Sequence, residues 1–190
     1  MNPLPPPGIV LCQGFTAKRP EQFVMKEKQG WSKNSYIAAF RLPNGEPGET
    51  FLEIEQQNRK NWDFKQNGRV VLKLQKTTGC WTSKPEYVAI APGGRQIFHT
   101  KLKDGFTKTK FEMQTPTTQN IEVDRHQSWM TITADGQPVA TQKHPNGLSF
   151  RSRRDNIDVT PGMDLLLTFG LVMVTIDKYN QDVKTVAAAT

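Results

Sequence analysis

Short stretches of alternating hydrophobic and polar residues recur along most of this chain. In Arg69-Val70-Val71-Leu72-Lys73-Leu74, positions 70, 72 and 74 share one face. Trp129-Met130-Thr131-Ile132 separates into two faces in the same way. Period-two patterning with one wet face predicts antiparallel sheet. Further runs of this kind cover 23–26, 35–40, 51–54, 87–91, 96–102, 108–113 and 139–143, with weaker ones near residues 9 and 157. Turn signals separate them: Asn44-Gly45, Asn67-Gly68, Gly93-Gly94, Asp104-Gly105, Asp135-Gly136 and Asn146-Gly147. Such pairs supply the positive φ that tight hairpins demand. About a dozen short, evenly spaced strands predict a closed barrel or a sandwich.

One run breaks the alternation. Leu165–Ile176 reads LLLTFGLVMVTI, without a single charge. Asp164 stands at the N-cap position before it, and Asp177 and Lys178 follow it. A helix over this run is about 18 Å long at roughly 1.5 Å per residue. A bilayer core needs about 30 Å, so the run is too short to span one. A helix that is apolar on all faces must be enclosed by protein, and a barrel interior encloses it. The expected fold is therefore mainly β: a closed antiparallel barrel of about a dozen strands around a C-terminal hydrophobic helix.

Composition narrows the picture. With 23% charged and 36% hydrophobic residues, the chain is neither disordered nor membrane-embedded as a whole. Its 25 Lys and Arg against 18 Asp and Glu give a formal charge of +7. That excess favours anionic partners such as lipid headgroups, acidic proteins or nucleic acid. Cys12 and Cys80 lack metal-site spacing and read as reduced thiols. The opening MNPLPPP has no signal-peptide pattern, so a cytoplasmic protein is expected, with peripheral membrane or nuclear visits open to it.

The order of elements resembles the tubby-like superfamily, and most closely its LURP-one-related branch. The residues that carry the resemblance are Phe23-Val24-Met25-Lys26-Glu27-Lys28 and, at the other end, Val159-Thr160-Pro161-Gly162-Met163-Asp164 with the apolar run and Ile176-Asp177. It extends loosely over residues 20 to 180. It implies a tubby-like barrel over 20–180 with its central helix over 164–180, while Pro-rich and Ala-rich compositions predict an extended segment over 1–19 and a flexible tail over 181–190. Lys101-Leu102-Lys103-Asp104-Gly105-Phe106-Thr107-Lys108-Thr109-Lys110-Phe111 is similar to a strand-turn-strand segment of tubby proteins. The two basic residues of its first unit hold phosphoinositide phosphates there. The resemblance transfers that role to Lys101 and Lys103, the second being Lys where tubby has Arg. Phospholipid scramblases share the fold, but their acidic calcium-binding stretch corresponds to Arg153-Arg154-Asp155-Asn156-Ile157-Asp158, which is basic at its start and poor in carboxylates.

Candidate chemistry follows from these basic residues. Alternation puts Lys101 and Lys103 on one face of their strand, and Lys108 and Lys110 on one face of the next, forming a candidate headgroup site across the hairpin. The same lysines also fit an ordinary solvated face. Arg151, Arg153 and Arg154 make a secondary basic cluster, which reads equally as a solvated loop. His99, His126 and His144 form no metal or nucleophile–base pattern, and no catalytic residue, cofactor or metal is expected. Trp31, Trp62, Trp81 and Trp129 read as barrel core or barrel ends. Nucleic acid is the weakest partner reading, because only Phe106 and Phe111 interleave with lysines. The expected function is a non-catalytic module for anionic phospholipid headgroups, with a protein-binding adaptor as the alternative.

Overall fold

The structure, a computed structural model, describes residues 1–28, 35–77, 85–104, 109–126, 129–144 and 153–188, and of 103, 104, 109, 110, 112 and 182–188 only the backbone. The alternating stretches form strands β1 (Glu21–Lys28), β2 (Ser35–Arg41), β3 (Pro47–Asn58), β4 (Asn61–Gln66), β5 (Arg69–Thr77) and β6 (Glu86–Ile90). They continue with β7 (Gln96–Asp104), β8 (Thr109–Gln114), β9 (Ile121–Arg125), β10 (Trp129–Ala134), β11 (Gln137–Lys143) and β12 (Arg154–Val159). Each strand pairs antiparallel with the next, and β1 pairs with β12 to close the barrel. The thinnest seam is β8–β9, held in register only at Thr109–Arg125 and Lys110–Asp124. The weak run near 157 is β12, whereas residues around Ile9 form no strand. At Asn67-Gly68 and Asp135-Gly136 both residues have positive φ, the conformation of a two-residue hairpin turn.

The apolar run is the helix α1 (Leu165–Ala188), and it fills the barrel. Leu167, Phe169, Leu171, Val172, Val174 and Ile176 are wholly buried among inward residues such as Phe23, Phe64, Leu72 and Ile132. Asp164 caps it: the Leu167 N–H donates to Asp164 Oδ1 at 2.9 Å. The helix runs past residue 180 because the polar residues that look like its end find partners on the barrel. Asp177 Oδ2 accepts from Lys76 Nζ at 2.8 Å, Tyr87 Oη at 2.7 Å and Gln181 Nε2 at 2.6 Å.

The first residues, expected to be a loose extension, are docked onto one end of the barrel. Leu4, Ile9, Leu11 and Cys12 are buried there. Backbone bonds join Leu4 to Pro161, Ile9 to Gly162, Ala17 to Met163 and Leu165 to Phe15. Gly8 and Gly162 both have positive φ, and a Cβ on Gly8 would collide with the Gly162 carbonyl oxygen, so the two segments approach closely only as glycines. The physical reason for the docking is the helix start. Its first N–H groups lack intrahelical partners, and an open barrel end would leave them and the apolar side chains wet.

The barrel therefore has two unlike ends. Antiparallel connectivity puts the β2–β3, β4–β5, β6–β7, β8–β9 and β10–β11 turns at the capped end with the N-terminal segment. β7 ends, and β8 and β12 begin, at the end from which α1 emerges.

Candidate functional site

Strand direction alone brings the two basic clusters of the sequence to the same end. Lys101 and Lys103 lie at the close of β7, Lys110 at the start of β8, and Arg153 and Arg154 at the start of β12. Lys108 and Arg151 fall outside the described residues. The clusters are set apart around the barrel, with β9, β10 and β11 between β8 and β12.

Register separates the hairpin lysines into two environments. Lys101 lies opposite Glu112 on β8 and Glu86 on β6, and its Nζ is 2.9 Å from Glu86 Oε1. His99 Nε2 meets the other oxygen of Glu86 at 2.9 Å. The Lys101 hydrogen bond, followed by that of His99, holds the Glu86 carboxyl below its ordinary pKa. Lys103 lies directly opposite Lys110, whose other neighbour is Asp124 on β9. Like charges facing each other across a ladder are destabilising.

The arginine cluster splits across the barrel wall. Arg153 turns inward, with Nε 2.6 Å and Nη2 3.0 Å from the carboxylate of Asp155, which is wholly buried. Gln142 Nε2 donates to the same carboxylate at 2.8 Å, and the Arg153 guanidinium sits 4.9 Å from the Tyr179 ring of the helix. Arg154 turns outward and donates to Glu46 Oε1 at 3.3 Å and to the Gly45 carbonyl. Asp158 accepts from Arg41 Nη2 at 2.7 Å. Both carboxylates of the stretch Arg153–Asp158 are thus held by an arginine. Strand alternation in Arg153–Asp158 carried the signal for this inward–outward split.

One feature of this end carried no distinguishing mark in the sequence. Trp129, at the start of β10, is exposed, opposite Lys143 in register and stacked on His126 with ring centroids 3.9 Å apart. Trp62 is core, and Trp31 and Trp81 fall outside the described residues. His144 Nδ1 lies 2.8 Å from the Arg154 carbonyl oxygen and 3.6 Å from Asp155. Cys12 is buried, and burial pushes its thiol up to about 11; Cys80 lies outside the described residues. Among the described residues no three His, Cys, Asp or Glu side chains are grouped to hold a metal ion, and no helix is long and apolar enough to cross a membrane.

A protein-family model described as LURP-one-related matches residues 21–176, from the first strand to the last wholly buried residue of the helix. No curated protein matches the chain.

Proposed function

Since the chain belongs to the LURP-one-related family of the tubby-like superfamily, we propose that it is a non-catalytic module that docks its helix-exit end on anionic phospholipid headgroups. It would act as a peripheral protein on the cytoplasmic face of a membrane, without a cofactor. The observation that carries this reading is the opposition of Lys103 and Lys110 in the β7–β8 ladder. Like-charged residues paired in a ladder are destabilising, and an anionic headgroup bound beside this pair would relieve that cost. Near an anionic surface each lysine contributes about 1 kcal/mol. The exposed Trp129, two strands from Lys110, adds an amphipathic ring of the kind that favours the headgroup region.

Within this site the residues have unequal parts. Lys103, Lys108 and Lys110 supply most of the attraction. Lys101 matches a phosphate-holding position of tubby proteins, but it also holds Glu86. Arg153 is committed to Asp155 and Arg154 to Glu46, so with Arg151 they contribute less.

Vesicle flotation tests the reading. The parent is expected to float with vesicles containing phosphatidylserine or phosphoinositide, and less so as salt rises, because exposed charges are screened over about 8–10 Å at physiological ionic strength. Changing Lys101, Lys103, Lys108 and Lys110 together to Gln is expected to abolish flotation while leaving the melting temperature nearly unchanged. A parent that floats with no anionic vesicle overturns the proposal and turns attention to protein partners.

A further inference from the structure

The β2–β3 connection does not stand away from the barrel. It folds across the outside of β1, because Gly45 and Glu46 reach Arg154 on β12, the strand beyond β1. On the wall beneath, Val24 and Ala39 are partners in register and are buried although neither belongs to the core cluster. Between this flap and the wall lies a cleft of about 530 Å³, lined by Gln22, Arg41, Leu42, Pro43, Arg154 and Asn156, with Gly45 at its edge. That volume is within the range of small-molecule sites.

The lining has a specific chemistry. Two guanidinium groups flank the cleft, Arg41 anchored by Asp158 and Arg154 by Glu46. Lys26 adds a third cation 3.6 Å from Glu46. Three cations against two carboxylates leave one positive charge in excess. Asp158 takes one donor of Arg41, and Glu46 and the Gly45 carbonyl take one each of Arg154. An arginine carries five N–H donors, and donors remain on both. Asn156 is the second observation. Its Oδ1 is buried and has no hydrogen-bond partner among the described residues. A buried polar atom left unpaired costs stability, and such atoms in folded proteins call for an explanation. A turn of the amide presents this oxygen to the cleft, where a ligand hydroxyl supplies the donor it lacks. Leu42 and Pro43 supply an apolar wall.

We propose that this cleft binds a small soluble oxyanion, phosphate or carboxylate, that carries hydroxyl groups beside its charge. The arginines take the oxyanion, Asn156 pairs with a hydroxyl, and the carbon frame rests on Leu42 and Pro43. The cleft shares Arg154 with the membrane-docking end but does not depend on that reading.

The test titrates the labelled full chain by amide NMR with glucose 6-phosphate, gluconate, glucose and inorganic phosphate. Shifts are expected around Gln22, Arg41 and Asn156 with the first two, and binding about tenfold weaker or more with glucose or phosphate alone. Arg154→Gln and Asn156→Ala are each expected to weaken binding at least about tenfold, and Arg154→Lys is expected not to restore it, because lysine lacks the fork. Asn156→Ala decides the matter if Arg154→Gln does not fold. Vesicle flotation of Asn156→Ala, which leaves every basic residue of the docking end in place, is expected to match the parent. Absence of any shift with the hydroxylated anions overturns the proposal, as does equal binding of inorganic phosphate. A fall in flotation overturns it too, because the cleft would then serve the membrane.

Discussion

The backbone N–H of Cys12 donates to Asp164 Oδ2 at 2.7 Å across 152 positions of sequence. The Leu11 N–H donates to the same oxygen at 2.9 Å, while the other oxygen caps the helix through Leu167. One carboxylate thus starts the central helix and fastens the segment that covers it.

Asp164→Ala is therefore expected to cost more than a cap alone. Loss of an N-cap costs about 0.5–2 kcal/mol, and each buried N–H left unpaired costs about 1–3 kcal/mol. With the cap and two N–H groups lost together, a loss of roughly 2.5–8 kcal/mol in urea unfolding is expected. Asp164→Asn separates the two opposing effects on the carboxyl. Burial raises its pKa, and the backbone bonds from Leu167, Cys12 and Leu11 pull it down, with burial the larger. An acid whose folded pKa is raised favours the folded state more as it is protonated. That contribution is present in full below the unfolded value and lost as pH rises through the folded one. The parent should accordingly gain stability relative to Asp164→Asn as pH falls from 7 toward 4. A parent that loses stability relative to Asp164→Asn on acidification would mean that the hydrogen bonds outweigh burial.

Gly170 sets how closely α1 approaches β7. A Cβ there would lie 2.6 Å from Phe98 Cε1 and 3.1 Å from Cζ, and Phe98 is wholly buried. Gly170→Ala gains roughly 0.8–1.0 kcal/mol of helix propensity but overpacks the core at a cost of about 1–3 kcal/mol. A net fall in melting temperature is expected, and a rise would show that the ring can move aside.

The helix is the core, so its interior tolerates no charge. Leu167→Asp or Val172→Asp buries an unpaired carboxylate and is expected to prevent folding. A chain ending at Thr160 is expected to be insoluble. A soluble, cooperatively melting truncation, seen by circular dichroism, would contradict the enclosed-helix architecture.

The Lys101–Glu86 pair predicts a titration rather than a stability. Lys101→Gln removes the largest cause of the lowered Glu86 pKa, leaving the smaller influence of His99. The Glu86 carboxyl midpoint, followed by carbon NMR, is expected to move up toward that of an ordinary glutamate. An unmoved midpoint would mean that Lys101 points elsewhere in solution.

The barrel and its helix were legible in the chain because both depend on simple periodicities. Strands β5 and β10 alternate cleanly, and Leu165–Ile176 has no polar face at all. Two strands were harder to see. β4 has only Trp62 and Phe64 pointing in, and β9 interleaves Glu122 and Asp124 with its apolar residues. The N-terminal cap was not legible, because Leu4, Ile9 and Leu11 are isolated apolar residues among prolines and follow no period. At the candidate site the lysines stood out by charge. The different surroundings of Lys101 and Lys103 follow from which residues face them in the ladders, and that depends on hairpin register.

Because β1 pairs with β12 and residues 4–17 bond to residues 161–165, segments made early in this sequence are completed by segments made much later. During synthesis β1 leaves the ribosome long before its closing partner. The open sheet then has two unpaired edges and an apolar lining with nothing to fill it. Folding dominated by such distant contacts is slow, and transiently exposed strand edges and apolar surface aggregate. The nascent chain is thus at its most vulnerable just before the final helix appears, and its yield in the cell depends on shelter over that interval.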